Sequence, residues 1–312
     1  MGDSGMIFLC GIPSEHSLGL VIERLRQMGA PHVVFHQRQF ADAALELEIA
    51  DGKVRGTLSL NGTTHRVEDF AAIYTRLMEW RLLPEVEHER PGSPSRCQCE
   101  NLHATMMQWH ELADGRVLNR RTEIGLGYSK PFQSQLIRRH GFSIPETIVT
   151  NDPDEVRAFC RQYGRVIYKS ASYVRSVVDL VDERDVDRLE AIRACPVQFQ
   201  QFVEGINLRV HTVGRRAFAT SIEAPTVDYR YAYLAGEEEK LEESWLCEGL
   251  TDRCISLAGA FSLEFAGIDL KVTGNGEVYC LEVNPSPAFS YYELHTGQPI
   301  AQAVAEYLVT GS

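Results

Sequence analysis

The sequence predicts a mixed α/β (α+β) protein whose 312 residues divide into two or three packed units. Three stretches support this fold class. Residues 6–35 run from an apolar strand through an amphipathic helix to a second strand, a βαβ start that indicates a parallel sheet. Residues 45–67 alternate apolar and polar positions, as antiparallel strands do. Residues 267–285 hold two apolar runs around Asn275-Gly276, the strongest short-range hairpin signal.

Composition and charge narrow the classes of partner. The net charge of -12 disfavours binding to a nucleic acid and suits a basic peptide or an amine substrate. No apolar run of about eighteen residues is present and the N-terminus lacks the features of a signal peptide, so we expect a cytoplasmic protein that binds no membrane. The eight cysteines are expected to be reduced thiols, with a metal or disulfide role for Cys97 and Cys99 as the weaker alternative.

Residues 1–118 are predicted to form an N-terminal α/β domain. Turns at Asp51-Gly52 and Asn61-Gly62 connect its antiparallel strands. The proline- and glycine-containing segment 87–99 is predicted to be a mobile loop, and the apolar spacing that follows predicts a helix over 101–112. A short strand near residue 118 closes the domain.

Arg76 follows an apolar strand of this domain. Ligands meet open α/β sheets at the carboxyl ends of strands, so Arg76 is a candidate for binding a substrate carboxylate through its guanidinium fork. An ion pair with Glu79 or Glu85 is an equally weighted alternative. The chain contains neither G-x-G-x-x-G nor a P-loop, so a nucleotide would be held by other means.

Residues 119–195 form the second predicted unit. Asp152-Pro153 supplies an N-cap and a proline at the first helical position, which predicts a helix to about residue 163. The strand that follows ends in Lys169, and a charged helix is expected over 182–193. A buried ammonium group needs a partner, which a phosphate would supply; a surface lysine is the structural alternative.

Residues 196–312 form the third predicted unit, in which three strands precede a helix, a hairpin and a last helix. The acidic run 237–243 is interpreted as a solvated face or a flexible loop, with steering of a basic peptide as the alternative. Helical spacing recurs over 245–263 and over 299–308.

The hairpin of this last unit carries the strongest chemical signal. If Asn275-Gly276 is a two-residue type I′ turn, Asp269 lies directly opposite Glu282. Facing carboxylates repel each other unless a cation neutralises them. Asn284 projects from the same face as Glu282, and the three side chains offer only oxygen atoms, the ligands that Mg²⁺ prefers. A solvated edge hairpin is the alternative, which the apolar residues between the acids disfavour.

The pattern Gly-Ile-Asp, a short turn and Glu-Val-Asn-Pro-Ser-Pro resembles the metal-binding hairpin of the ATP-grasp carboxylate-amine ligases, specifically their RimK-like branch. The resemblance implies an ATP-grasp fold, in which a small lobe (119–195) and a C-terminal lobe (196–312) sandwich ATP behind a pre-ATP-grasp domain (1–118). It also implies Mg²⁺, with Mn²⁺ as an alternative, held by Asp269, Glu282 and Asn284.

The resemblance further implies phosphate contacts. In the family two lysines clamp the nucleotide phosphates, and Lys130 and Lys169 match them in order and setting. Arg209 and Arg230 match family arginines that meet the phosphates or the acyl phosphate, with pairing to carboxylates as the alternative for Arg209. The chain departs from the family where it carries 170–176 in place of a glycine-rich lid, and Asn207 in place of an acid.

The segment between the two lobes is implied to bind the adenosine. Backbone groups near Phe202 and Val203 would contact the purine edge, and Glu204 would reach the ribose hydroxyls. Strand alternation lets either Gln200 or Gln201 bond the adenine amino group, and Gln201 is favoured.

The family implies that a substrate carboxylate attacks the γ-phosphate, and that an amine or a hydroxyl then displaces phosphate from the acyl phosphate. Ser286 would lie at the mouth of this site, and His211 is a weaker candidate for a base. Both substrates are expected to be small molecules or peptides, and homo-oligomerisation is left open.

Three functional hypotheses follow from this resemblance. The leading one is a ligase that joins a carboxylate to an amine. A graspetide-type peptide macrocyclase is the narrower alternative, because Asp228-Tyr229-Arg230 resembles the Asp-Trp-Arg of such enzymes and the glycine-rich lid is absent. An ATP-grasp kinase or a nucleotide-sensing binding protein is the alternative from another class.

Overall fold

The computed structural model describes residues 5–120, 130–170, 179–182, 185, 188–223 and 240–312. The strands are β1 (Met6–Gly11), β2 (His32–His36), β3 (Ala43–Ala50), β4 (Lys53–Leu60), β5 (Thr63–Arg66), β6 (Phe70–Arg76), β7 (Arg116–Leu118), β8 (Thr147–Thr150), β9 (Val166–Ser170), β10 (Asp179–Leu180), β11 (Val197–Gln201), β12 (Ile206–Val213), β13 (Arg216–Glu223), β14 (Lys240–Ser244), β15 (Phe265–Val272) and β16 (Val278–Asn284). The α-helices are α1 (His16–Gln27), α2 (Pro84–Glu87), α3 (Pro94–Leu112), α4 (Lys130–Arg139), α5 (Pro153–Tyr163), α6 (Glu248–Ala260), α7 (Ser290–Thr296) and α8 (Ile300–Thr310).

The described strands form four sheets. A parallel sheet of order β2-β1-β6-β7 and an antiparallel sheet of order β3-β4-β5 build the N-terminal domain. An antiparallel sheet of order β10-β9-β11-β8 forms the small lobe, and one of order β14-β13-β12-β15-β16 forms the C-terminal lobe. The mixed α/β class is therefore confirmed. Because β11 pairs with β8 and β9, we propose that the small lobe extends to Gln201, beyond the predicted division at 195/196.

The turn chemistry of the N-terminal domain agrees with the sequence. Asp51 and Gly52 have φ of 52° and 72°, and Asn61 and Gly62 have φ of 49° and 81°. A type I′ turn requires positive φ at both central residues, and these pairs adopt it at low cost. The helix predicted after Asp152 is also confirmed, since its side chain accepts a hydrogen bond from the Asp154 amide at 2.9 Å.

Two polar segments are more regular than the sequence suggests. The predicted loop 87–99 contains the start of α3, because Ser93 caps that helix and Pro94 occupies its first position. The acidic run 237–243 ends in β14, which pairs with β13 as an edge strand. Leu241 of β14 packs against the core while the charges around it face water, which is typical of edge strands that avoid aggregation. Residues 237–239 lie outside the described part.

Packing joins the N-terminal domain to the C-terminal lobe. One core cluster combines α1 and β6 with α8, and Ala301, Val304 and Leu308 of α8 are fully buried in it. A second cluster packs α4 and α6 against the five-stranded sheet, on the side of Ala266, Ile268 and Leu270. The opposite face of β15 is therefore directed toward the cleft between the lobes.

Several remaining predictions can be checked within the described residues. Of the helix expected over 182–193, residues 185 and 188 are helical and Leu189–Ala194 forms a 3-10 helix, while residues 183–184 and 186–187 lie outside the description. All eight cysteines are free thiols. Across the described ranges, no helix combines the length and the apolar character that a membrane span requires.

Candidate active site

The C-terminal hairpin aligns the two predicted metal-binding acids, although its turn differs from the prediction. Asp269 and Glu282 are direct partners, as predicted. The connection is a three-residue loop from Gly274 to Gly276, closed by a 3.0 Å bond from the Thr273 amide to the Glu277 carbonyl, and only Gly276 has positive φ. A bulge at Leu281 then shifts the register by one residue, and this shift restores the predicted pairing.

Arg209 extends this pair of acids across a third strand. It faces Asp269 on the neighbouring strand, and its Nη1 lies 2.7 Å from Asp269 Oδ1. The Arg209 side chain is only 7% exposed, so water has little access to the guanidinium of this ion pair. Arg209, Asp269 and Glu282 therefore form one row across β12, β15 and β16.

Gly267 gives the guanidinium of Arg209 its space. A Cβ atom at this position would lie 2.3 Å from Arg209 Nη2 and 2.8 Å from the Cβ of Pro287. Any side chain here would therefore displace the arginine. The glycine of the Gly-Ile-Asp motif is required for a close approach, a signal that the sequence contained but that our sequence analysis did not use.

His211 follows Arg209 on the same face and is fully buried. Burial, followed by the positive charge of Arg209, holds the pKa of His211 well below its usual value. Its Nε2 lies 3.4 Å from Arg209 Nε, which can only donate, so Nε2 acts as the acceptor and carries no proton. This geometry favours a neutral positioning residue over the base that the sequence suggested.

Asn284 completes the oxygen cluster and begins the following loop. It faces Gly267 across the strands, and its Oδ1 accepts a hydrogen bond from the Ser286 amide at 2.9 Å. Ser286 itself is exposed, and its location at the mouth of the site stays a prediction.

Arg76 binds this loop and a glutamate that the sequence analysis did not consider. Its Nε and Nη2 each lie 3.1 Å from a carboxylate oxygen of Glu15, and its Nη1 donates to the Pro287 carbonyl at 2.9 Å. The suggested pairing with Glu79 or Glu85 is therefore wrong. With three of its nitrogen atoms engaged, Arg76 anchors the loop, and its binding of a substrate carboxylate stays a prediction.

Two buried amide side chains hold the hairpin from outside. Gln133 of α4 donates to the Val283 carbonyl at 2.9 Å and accepts from the Val283 amide at 3.1 Å. Asn119 donates to the Phe265 and Pro285 carbonyls at 2.6 and 2.7 Å. These bonds fix the hairpin backbone at Val283, next to Glu282, and at Phe265 and Pro285. The bonded residues are far apart in sequence, which explains why the sequence analysis missed these contacts.

Lys169 lies in the small lobe, opposite the hairpin. Its side chain is 9% exposed, and its Nζ lies 3.3 Å from Gln200 Oε1. Gln200 also bonds the Thr147 hydroxyl at 2.9 Å. A narrow cavity between the lobes is lined by Gln133, Ser134, Ile137, Lys169, Gln198, Gln200, Leu281 and Glu282.

The cavity lining bears on the predicted adenine contact. The sequence favoured Gln201, but strand alternation turns Gln198 and Gln200 toward the lysine. Gln201 instead approaches the Glu146 amide at 3.5 Å. The structure thus makes Gln200 the better candidate for this contact.

The segment between the lobes, 202–205, takes part in an ion pair and a cation–π contact. Glu204 forms an exposed salt bridge with Arg165, whose guanidinium lies 4.0 Å from the centre of the Phe202 ring. Val203 is buried. The backbone of Phe202 and Val203 thus has a fixed course beside the cleft, and its role in purine binding stays a prediction.

Some predicted site residues lie outside the described residues. They are Arg230 with its neighbours Asp228 and Tyr229, residues 171–176 of the predicted lid segment, and the side chain of Lys130, whose backbone begins α4.

The hairpin residues fit a divalent cation by the chemistry of their donors. Two carboxylates and one amide oxygen share a sheet face, without a competing nitrogen or sulfur ligand among them. Within the described ranges the Glu282 carboxylate accepts no hydrogen bond, and the acid that faces it, Asp269, is already engaged by Arg209. A hard cation would neutralise the remaining charge.

Two antiparallel sheets, a lysine in the cleft between them and an acidic hairpin beside it define an ATP-grasp protein. The chain belongs to the RimK-like ATP-grasp family, whose domain matches residues 129–308. A probable alpha-L-glutamate ligase of Vibrio atlanticus (strain LGP32) is 24% identical over 202 residues, 61% of this chain and 66% of the relative. One from Xanthomonas campestris pv. campestris (strain B100) is 27% identical over 185 residues, 56% and 62% of the two chains. The chain thus spans just under two thirds of these relatives.

Solved structures match almost the whole chain. Macrocyclase MdnC of Microcystis aeruginosa MRC, bound with precursor peptide MdnA, has a TM-score of 0.83 at 22% identity and covers 98% of this chain and 100% of its own. A Chryseobacterium gregarium RiPP-associated ATP-grasp ligase in complex with ADP and a leader and core peptide has 0.84 at 21%, covering 99% and 97%. ATP-grasp ligase PsnB, complexed with minimal precursor, Mg and ADP, has 0.78 at 25%, covering 97% and 96%.

Proposed function

We propose that the protein is an ATP-dependent ligase that activates a carboxylate as an acyl phosphate and joins it to an amine, releasing ADP and phosphate. The observation that supports this most is the row of Arg209, Asp269 and Glu282, with Asn284 on the same face. This row places the buried guanidinium of Arg209 beside a cluster of oxygen ligands. Such an arrangement suits a triphosphate and the metal ion that it carries.

The chain's own residues would act mainly by position and charge. Lys169, together with Lys130, would hold the phosphates from the small lobe, and Arg209 would face them from the C-terminal lobe. Asp269, Glu282 and Asn284 would hold Mg²⁺, or Mn²⁺ in its place, which when bound neutralises phosphate charge. Arg230 is proposed to meet the acyl phosphate, and Phe202, Val203 and Glu204 to bind the adenosine.

In the first step an oxygen of the substrate carboxylate attacks the γ-phosphorus, and the bond to the β,γ-bridging oxygen breaks to release ADP. In the second step the amine nitrogen attacks the acyl carbon, phosphate leaves with the electrons of the C–O bond, and the nitrogen loses a proton. Arg209 stays charged throughout, because its guanidinium is far too basic to titrate. It can therefore stabilise charge that develops on the phosphoryl oxygens in both steps.

A peptide is the substrate class that we favour. Structural similarity over 97–99% of the chain to enzymes solved with precursor peptides supports it, as does the net charge of -12, which suits a basic partner. A graspetide-type macrocyclase, which joins two side chains of one peptide, is the second candidate. Addition of a free amino acid, as the name of the glutamate ligases suggests, is the other form of the same chemistry.

ADP formation by the full chain tests the proposal against panels of carboxylates, amines and basic peptides. We expect turnover only when both a carboxylate and a nucleophile are present. Glu282→Gln and Asp269→Asn should each abolish it without unfolding the chain, since each removes a negative charge from the metal site and no apolar core packing, although Asp269→Asn also weakens the ion pair with Arg209. Glu242→Gln is the matched control, an exposed acid of the same sheet paired with Lys240. Unchanged ADP formation in either site variant would rule out the metal assignment.

Mass spectrometry of the product separates the candidate reactions. A macrocyclase removes one water from the peptide for each ring, whereas addition of an amino acid increases the mass. ADP formation with a carboxylate alone and a stable phosphorylated product would indicate a kinase. Binding of ATP without turnover under any mixture would indicate a nucleotide sensor.

A further inference from the structure

Lys271 is a buried lysine on the cleft face of the C-terminal lobe. It follows Asp269 by two positions on β15, so both side chains project from the face opposite the core-packed Leu270. Lys271 as a whole is only 8% exposed to solvent. Burial of an ammonium group is costly, which suggests that this lysine has a partner at some stage of function.

The two strands that flank Lys271 place no carboxylate directly opposite it. Its cross-strand partners are Asn207 on β12 and Tyr279 on β16, and neither is acidic. Among the described residues its Nζ forms no ion pair, and it makes a cation–π interaction at 4.9 Å from the centre of the Phe202 ring. The family position that usually holds an acid is Asn207 here, so the residue best placed to pair with the lysine is neutral.

Lys271 lies between the proposed metal site and the segment that joins the lobes. A two-residue step along a strand is about 7 Å, which separates it from Asp269 on one side, while Phe202 borders it on the other. If ATP spans this distance as the proposed function requires, its ribose and α-phosphate lie nearest to Lys271.

We propose that Lys271 is a further nucleotide-binding residue, which donates a hydrogen bond to an acceptor oxygen of the ribose or of the α-phosphate. An ammonium group can only donate, so both sources share the required chemistry. The proposal rests on nucleotide binding by this cleft, and it adds a lysine that neither the motif comparison nor the hairpin pattern had assigned. It also explains why a neutral asparagine faces it, since an acid there would compete for the ammonium.

Calorimetry with adenosine, AMP and ADP, the last with Mg²⁺, tests the proposal on the full chain. Lys271→Met should weaken ADP binding by about tenfold or more, the usual effect of losing a charged hydrogen bond. An equal loss for adenosine identifies the ribose as the partner, and a loss that first appears with AMP identifies the α-phosphate. Lys240→Met is the matched control, because Lys240 is an exposed lysine of the same sheet and should leave every affinity unchanged.

Thermal unfolding distinguishes binding from a structural role. Without nucleotide, Lys271→Met should melt no lower than wild type, since it removes a desolvated charge, while the ADP-induced rise in Tm should shrink. Asn207→Asp offers a second test, because the new carboxylate should pair with Lys271 and reduce ADP affinity severalfold.

Two outcomes would overturn the assignment of Lys271. Wild-type ADP affinity in both variants would exclude it while leaving the proposed function intact, provided that Glu282→Gln still abolishes turnover. A wild-type chain that binds no nucleotide would overturn the proposed function and this inference together.

Discussion

Gly267→Ala tests how tightly the guanidinium of Arg209 is packed in the row of charges. The backbone of Gly267 lies outside the left-handed region, so alanine is compatible with it and the effect must be steric. The new Cβ would lie 2.3 Å from Arg209 Nη2, 2.6 Å from its Cζ and 2.8 Å from the Cβ of Pro287. All three separations are shorter than the distance at which a Cβ atom can approach another heavy atom without a steric clash, so at least one neighbour must move.

The arginine is the neighbour that can move, and its movement should affect activity more than folding. Leaving its position breaks the 2.7 Å contact with Asp269, and a hydrogen bond to a charged group contributes about 1.5–3 kcal/mol. Overpacking adds about 1–3 kcal/mol if Pro287 also shifts. We therefore expect the free energy of unfolding to fall by about 1.5–3 kcal/mol, or by up to about 6 kcal/mol if Pro287 also shifts, and kcat/KM to fall by about 10- to 100-fold.

Urea denaturation and the initial rate of ADP formation measure the two effects of Gly267→Ala separately. Gly259→Ala is the matched control, since Gly259 lies in α6 with no atom within 4 Å of its added Cβ. That variant should keep full activity and gain up to about 1 kcal/mol of stability from alanine's higher helix propensity. Wild-type stability and rate in Gly267→Ala would refute the packing of Arg209 over this glycine.

Two further substitutions probe the supports of the fold. Gln133→Leu leaves the buried amide and carbonyl of Val283 without their hydrogen-bond partners. In urea titrations the free energy of unfolding should therefore fall by about 2–4 kcal/mol, and turnover should be lost. A fall below about 0.5 kcal/mol would contradict this. Burial lowers the pKa of His110 to about 3, so between pH 6.5 and that value only the unfolded chain takes up the proton, and stability falls as the pH falls. The slope is at most about 1.4 kcal/mol per pH unit, and His110→Gln should reduce it; an unchanged slope would exclude His110 as its source.

Local chemistry determined which elements of the fold could be predicted. The Asp51-Gly52 turn and the Asp152 cap depend on residues adjacent in sequence, and both are correct. The start of α3 was missed because Ser93-Pro94 was interpreted as loop chemistry, although the same pair caps a helix. The edge strand β14 was missed because the charged residues around Leu241 suggested a solvated loop, although Leu241 packs against the core.

The candidate site shows the same division between local and distant information. The pairing of Asp269 with Glu282 was predicted correctly, but for an incomplete reason, since the one-residue-longer loop and the bulge at Leu281 cancel each other. The sequence could not reveal the partner of Arg76, because Glu15 lies 61 residues away and is brought close only by the parallel sheet. The choice between Gln200 and Gln201 depends on the absolute orientation of β11, which alternation alone leaves open, and the adenine contact itself stays a prediction.

The distant contacts converge on one loop, and this gives the N-terminal domain a role in the site. Arg76 binds the Pro287 carbonyl, and the Ser17 hydroxyl accepts hydrogen bonds from the Phe289 and Ser290 amides at 3.3 Å each. The loop therefore has fixed ends, with the hairpin before it and α1 behind it. Asn284 begins this loop, so its orientation depends on the docking of a domain that contributes none of the proposed metal ligands. The metal site is for this reason a property of the assembled chain and not of the hairpin alone.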